Sequence, residues 1–111
     1  MVLSCITNTT GNNLKNILKN INKAFDHRIR LGIMSVLMVN ESADFTTLKE
    51  LLGVTDGNLA SHAKALEAEA YIIVEKQFIG RKPNTRYVAT QLGKKAFQEH
   101  IEALEKLIQN S

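Results

Sequence analysis

The apolar positions fall into two periods along the chain, and the switches between them mark the elements. Beginning at Asn13, Leu14, Leu18, Ile21 and Phe25 recur at spacings of 4, 3 and 4, which puts them on one stripe of an amphipathic helix. Asp26 is placed to cap a second helix, whose segment Leu31–Val39 is apolar almost all round. Such a helix is covered on both sides, at the centre of a small fold or between the core and another subunit. Ala43, Asp44 and Phe45 read as a very short strand. Thr47 and Glu50 have the spacing of a capping box for a short helix presenting Leu48, Leu51 and Leu52, with Gly53 as its stop. A further helix over 56–69 carries Leu59, His62, Ala63, Leu66 and Ala70 on one side. Gly57, Asn58, Ala60, Ser61, Lys64, Ala65 and Ala68 lie away from that stripe.

The stretch Tyr71–Ile79 is rich in β-branched and aromatic residues, Gly80–Asn84 has turn composition, and Thr85–Ala89 alternates again, so a β-hairpin is predicted. Thr90 is placed to cap a last helix, 91–109, in which Phe97, Ile101, Leu104 and Ile108 again recur at 4, 3, 4. Residues 1–13, rich in Ser, Thr, Asn and Gly, are expected to be a flexible N-terminal arm, and 14–111 one folded unit. One small core does not easily absorb both terminal stripes together with an apolar central helix. Leu14, Leu18, Ile21, Phe25, Phe97, Ile101, Leu104 and Ile108 are therefore expected at the interface of a two-fold homodimer.

At 111 residues the chain exposes roughly 18,000 Å² unfolded against about 6,100 Å² compact, enough burial for a real core. The single cysteine, Cys5, excludes an internal disulfide and points to a reducing cytoplasm. No apolar run reaches the 18 or more residues of a membrane span, so no membrane is expected as a partner. The net charge of +3 matters less than its distribution. Residues 76–95 contain Lys76, Arg81, Lys82, Arg86, Lys94 and Lys95 and no acid. A block of this kind holds a polyanion or forms an ordinary solvated surface.

Two helices joined through Gly53-Val54-Thr55-Asp56, the second with small residues outward, form a helix-turn-helix able to approach a major groove about 12 Å wide. Such pairs also occur as packing units. The hairpin supplies Arg81 and Lys82 at its tip and Arg86 on the return strand, suited to phosphates or to the minor groove.

In this order of elements the chain resembles the winged helix-turn-helix transcriptional regulators, in particular the small one-domain branch related to MarR and ArsR regulators. The resemblance covers about residues 24–109 and rests on LKELLGVTDGNLASHAKALE (48–67), YIIVEK (71–76) and GRKPNTRY (80–87). It implies a mainly α fold with a small β-hairpin wing and extra terminal helices for dimerisation. It further implies a recognition helix at 56–69, with Asn58, Ser61, His62 and Lys64 toward DNA, and a wing at 71–89 with contacts from Arg81, Lys82 and Arg86. The family usually has Gly before the wing strand, where this chain has Ala70; if the backbone there needs φ > 0, Ala carries strain that Gly would not.

The expected function is sequence-specific binding of double-stranded DNA, at an inverted repeat, by a homodimeric regulator. The alternative is a winged-helix protein-interaction module without DNA readout, which predicts exposed aromatic or aliphatic residues on the second helix of the pair. No enzyme, cofactor or metal is expected. His27, His62 and His100 lie on three separate predicted helices, and Asp56, Ser61 and His62 sit too close along one helix to form a triad. No residue pattern assigns a small-molecule effector.

Overall fold

In the computed structural model, residues 17–19 and 21–109 are described. The arm 1–13 and Leu14 therefore lie outside the described residues. Residues 17–19 are helical, but Ile21 lies in a bend and Lys23–Phe25 form a 3₁₀ turn, so the expected helix does not run on to Phe25. Asn22 interrupts it: its backbone is extended and its Oδ1 accepts the Ala24 N–H at 2.9 Å.

Helix α1, Arg28–Val39, starts one residue later than an Asp26 cap would place it. His27 is the cap, its Nδ1 accepting the Ile29 N–H at 3.2 Å, while Asp26 closes the preceding 3₁₀ turn. Ile29, Ile33, Met34 and Leu37 are buried. Strand β1 is only Ala43–Asp44. Helix α2, Phe45–Leu52, follows at once, so Phe45 is helical and the Thr47–Glu50 capping box does not form. Pairing of Asp44 with Arg86 fixes the extended residue and hence where the helix begins. Leu48 is fully buried, but Leu51 leaves 64% of its surface exposed.

Gly53 ends α2 in the left-handed region (φ 62), with its N–H donating to the Lys49 carbonyl. Helix α3, Asp56–Ala68, begins from Thr55, whose Oγ1 accepts the Asn58 N–H at 3.2 Å. Strands β2, Ile72–Ile79, and β3, Lys82–Ala89, form an antiparallel hairpin, and the sheet order is β1-β3-β2. The register pairs Ile79 with Lys82, so the turn is two residues long and Lys82, Pro83 and Asn84 belong to the strand. Gly80 (φ 65) occupies the first turn position, where a II′ turn takes glycine. Pro83 is tolerated because its pairing site, opposite Phe78 and next to the turn-closing pair, asks for no inward N–H.

Helix α4, Gln91–Gln109, is capped as the sequence predicts, with Thr90 Oγ1 accepting the Gly93 N–H at 2.9 Å. One core joins α1 to α4 and the sheet base through Phe25, Leu48, Leu59, Leu66, Ile72, Tyr87 and Phe97. This divides the two terminal stripes. Phe25 packs edge-on against Phe97 with ring centroids 5.2 Å apart, so both belong to the chain's own interior rather than to a surface between copies. Ile21, Ile101 and Leu104 are half-buried, whereas Leu18 and Ile108 remain exposed.

Candidate nucleic-acid interface

Two elements carry the sequence-predicted contacts. In α3, Leu59, Ala63 and Leu66 are buried at i, i+4 and i+7. At 100° per residue Ser61 falls opposite that stripe, with Asn58 and Lys64 on either side, and all three are exposed. Ala60 and Ala68 are exposed beside them, so the face is polar and low in profile. Gly53 turns the chain, and the Lys49–Asp56 ion pair (2.8 Å) spans from α2 to the first turn of α3. Its hydrogen bond and charge hold the Lys49 pKa above the ordinary lysine range. Both partners are well exposed, so the pair adds little to stability.

His62 belongs to a different group. It is half-buried, its ring stacks on His27 with centroids 4.0 Å apart, and its Nδ1 accepts from Arg30 Nε at 3.1 Å. Burial, then the nearby His27 and Arg30, hold its pKa below 6.5, which favours the neutral ring. The structure thus brings Asn58, Ser61 and Lys64 together and sets His62 into the contact between α3 and α1. His100 is buried against Phe25 and Phe97, and its Nδ1 accepts the Asn22 N–H at 3.0 Å. It is a core residue.

On the wing, Arg81 and Lys82 are exposed at the tip, as expected. Arg86 is further back and half-buried, and its Nε donates to Glu75 Oε1 at 2.8 Å across the strand pair. Its charge is largely answered within the wing. Lys76 and Phe78, both exposed on β2, are not among the contacts the sequence predicts, although the acid-free block contains Lys76. Among the described residues no group of three or more His, Cys, Asp or Glu could hold a metal ion, and no helix is long and apolar enough to cross a membrane.

The sequence profile of the winged helix DNA-binding domain matches residues 29–108. An uncharacterized protein of Methanocaldococcus jannaschii is 34% identical over 88 residues, 79% of this chain and 96% of that protein. The structure of a transcriptional regulator homologue from Pyrococcus horikoshii superimposes with a TM-score of 0.77 at 30% identity, covering 88% of this chain and 95% of the other. A transcriptional regulator from Thermotoga maritima shares the fold at 23% identity and a TM-score of 0.62, over 75% of this chain and 58% of that one. The profile is that of a DNA-binding domain, and the Pyrococcus horikoshii structure is that of a transcriptional regulator homologue.

Proposed function

The chain belongs to the winged helix DNA-binding family, and on that premise we propose that it binds double-stranded DNA sequence-specifically as a two-fold homodimer. Helix α3 lies in the major groove. Asn58 pairs bidentately with adenine, Lys64 donates to guanine, and Ser61 serves either base. Arg81 and Lys82 at the wing tip take the backbone or the minor groove, and Arg86 contributes attraction tempered by its pairing with Glu75. The observation that carries the reading is the division of α3 into a buried stripe and a low polar face topped by Ser61, on a chain whose hairpin adds exposed Lys76, Arg81 and Lys82 in a stretch without acid. Exposed aromatic or large aliphatic side chains, which a protein-binding face would present, are missing from the outer side of α3.

Dimerisation uses what the core leaves over. Leu18 and Ile108 are 58% and 77% exposed and belong to the two terminal stripes, with half-buried Ile21, Ile101 and Leu104 beside them. Two copies related by a two-fold axis present their α3 helices to successive major-groove faces, about 34–36 Å apart. The protein acts in the reducing cytoplasm. Selection of bound duplexes from a random pool with the purified protein tests the whole reading. An enriched inverted repeat with half-sites one helical turn apart is expected. Recovery of no duplex above background, or of a single asymmetric half-site, would contradict it.

A further inference from the structure

The wing is longer than its core requires. On the face that meets the helices, cross-strand pairs run from base to tip as Ile72/Ala89, Val74/Tyr87, Lys76/Thr85 and Phe78/Pro83. The first two pairs are buried or half-buried, and the last is exposed. Phe78 leaves 74% of its surface in solvent, and its neighbour Ile79 leaves 61%. At about 3.3 Å per residue the turn stands about 17 Å beyond buried Tyr87, so nothing in the core accounts for a phenyl ring there.

The charge around the tip identifies what covers it. Lys76 shares the strand face of Phe78 and Pro83, Arg81 lies in the turn beyond them, Lys82 precedes Pro83 on the other face of the ribbon opposite Ile79, and no acid occurs from residue 76 to residue 95. Glu75, just before them, is engaged by Arg86. An apolar point with cations before it, beyond it and across the ribbon is complementary to a surface with anionic rims and stacked apolar rings between them. The minor groove is such a surface, about 6 Å wide, and narrow enough that the tip of a two-stranded ribbon meets both phosphate rims.

We infer that Phe78, backed across the strands by Pro83, is an apolar wedge that enters the minor groove and unstacks a base step, while Lys76, Arg81 and Lys82 hold the flanking phosphates. The inference rests on the DNA-binding reading above and adds a mechanical act to it. Insertion of this kind kinks the duplex by about 20–90° toward the major groove. It also favours pyrimidine–purine steps, which unstack most easily, at positions where no hydrogen bond reads the base.

The test uses the full chain and a 30-bp duplex carrying the pool-selected sequence, or an A·T-rich duplex if selection converges on none. Donor and acceptor dyes at the ends report bending, and 2-aminopurine at steps under the wing reports unstacking. Wild type should shorten the end-to-end distance and brighten one 2-aminopurine position. Phe78→Ala should lose both signals and bind about tenfold more weakly, the scale of an aromatic–base contact, with the salt dependence unchanged. Phe78→Leu, still an apolar wedge, should restore the bend. Because Phe78 is exposed, thermal unfolding of the variants should match wild type. A duplex that stays straight and stacked under tightly bound wild type overturns the wedge and leaves the DNA-binding reading intact. So does a bend that Phe78→Ala preserves. Failure of wild type to bind any duplex removes both. Two further outcomes would assign the tip elsewhere and overturn the wedge: conversion of a wild-type dimer to a monomer by Phe78→Ala, or Phe78-dependent binding to phosphatidylglycerol vesicles with no DNA bend.

Discussion

Gly93 in the first turn of α4 lies directly over the Tyr71 backbone, so close that a Cβ at position 93 would collide with the Tyr71 carbonyl oxygen. The contact is fixed from both sides. Tyr71 O accepts the Thr90 N–H at 3.0 Å, and Thr90 Oγ1 caps the helix at Gly93. The start of the wing and the start of the last helix are thereby joined through backbone atoms, which cannot move aside as a flexible side chain would.

Gly93→Ala is expected to lower unfolding free energy by about 1–3 kcal/mol, the range for overpacking a close contact. Urea unfolding followed by circular dichroism measures it. A loss below about 0.5 kcal/mol would mean that the helix and the strand separate freely.

Ala70, immediately before the wing, is the one non-glycine residue with positive φ (63°) among the described residues. It is exposed, so its methyl group contributes little packing there to offset the strain. Ala70→Gly should therefore raise stability by about 0.5–1 kcal/mol, the left-handed penalty less the extra chain entropy of glycine. A thermal midpoint at or below that of wild type would contradict this origin of the strain.

Two histidines give the fold a pH dependence. Burial lowers the pKa of His62, reinforced by His27 and Arg30; burial also lowers that of His100, partly opposed by Asp26. The unfolded chain, with imidazoles near 6.5, then binds more protons than the folded one. Their contribution to stability is complete above about pH 6.5 and is lost as the pH falls through the lowered folded values. Urea midpoints should drop between pH 7 and pH 5, and the doubly substituted His62→Gln/His100→Gln protein should show a shallower drop. Parallel curves would place the acid sensitivity elsewhere.

Replacing Arg81 and Lys82 by Ala should weaken binding to specific and random duplexes by similar factors. The slope of log affinity against log salt should fall by up to about 0.9 for each phosphate that the tip no longer neutralises, summed over both subunits. Titrations at several salt concentrations decide it. An unchanged slope would show that the tip does not touch the backbone.

Much of this was legible in the sequence where local chemistry and packing agree. The stop at Gly53, the hairpin and the Thr90 cap follow from short-range rules that the fold leaves in force. The shifted elements are those where a longer-range contact prevails. The capping box at Thr47 gives way because Asp44 pairs with β3, and the Asp26 cap gives way to His27. Periodicity shows that Phe25 and Phe97 are buried but not by what, so an intramolecular edge-to-face pair and a dimer seam look alike in sequence. His62 shares the difficulty: its position on α3 is visible, while its stacking on His27 and its bond from Arg30 join residues some 30 positions apart.

Everything proposed for the function turns on whether the outer face of α3 reads DNA sequence, and competition between the selected duplex and its single-base variants decides that. The measurement compares wild type with Asn58→Ala and Lys64→Ala. Each substitution should relax one base position per half-site, by about 1–3 kcal/mol of discrimination, while binding to random DNA stays nearly unchanged. If all three proteins rank the variants identically, α3 does not read the sequence, and its polar face is not a recognition surface.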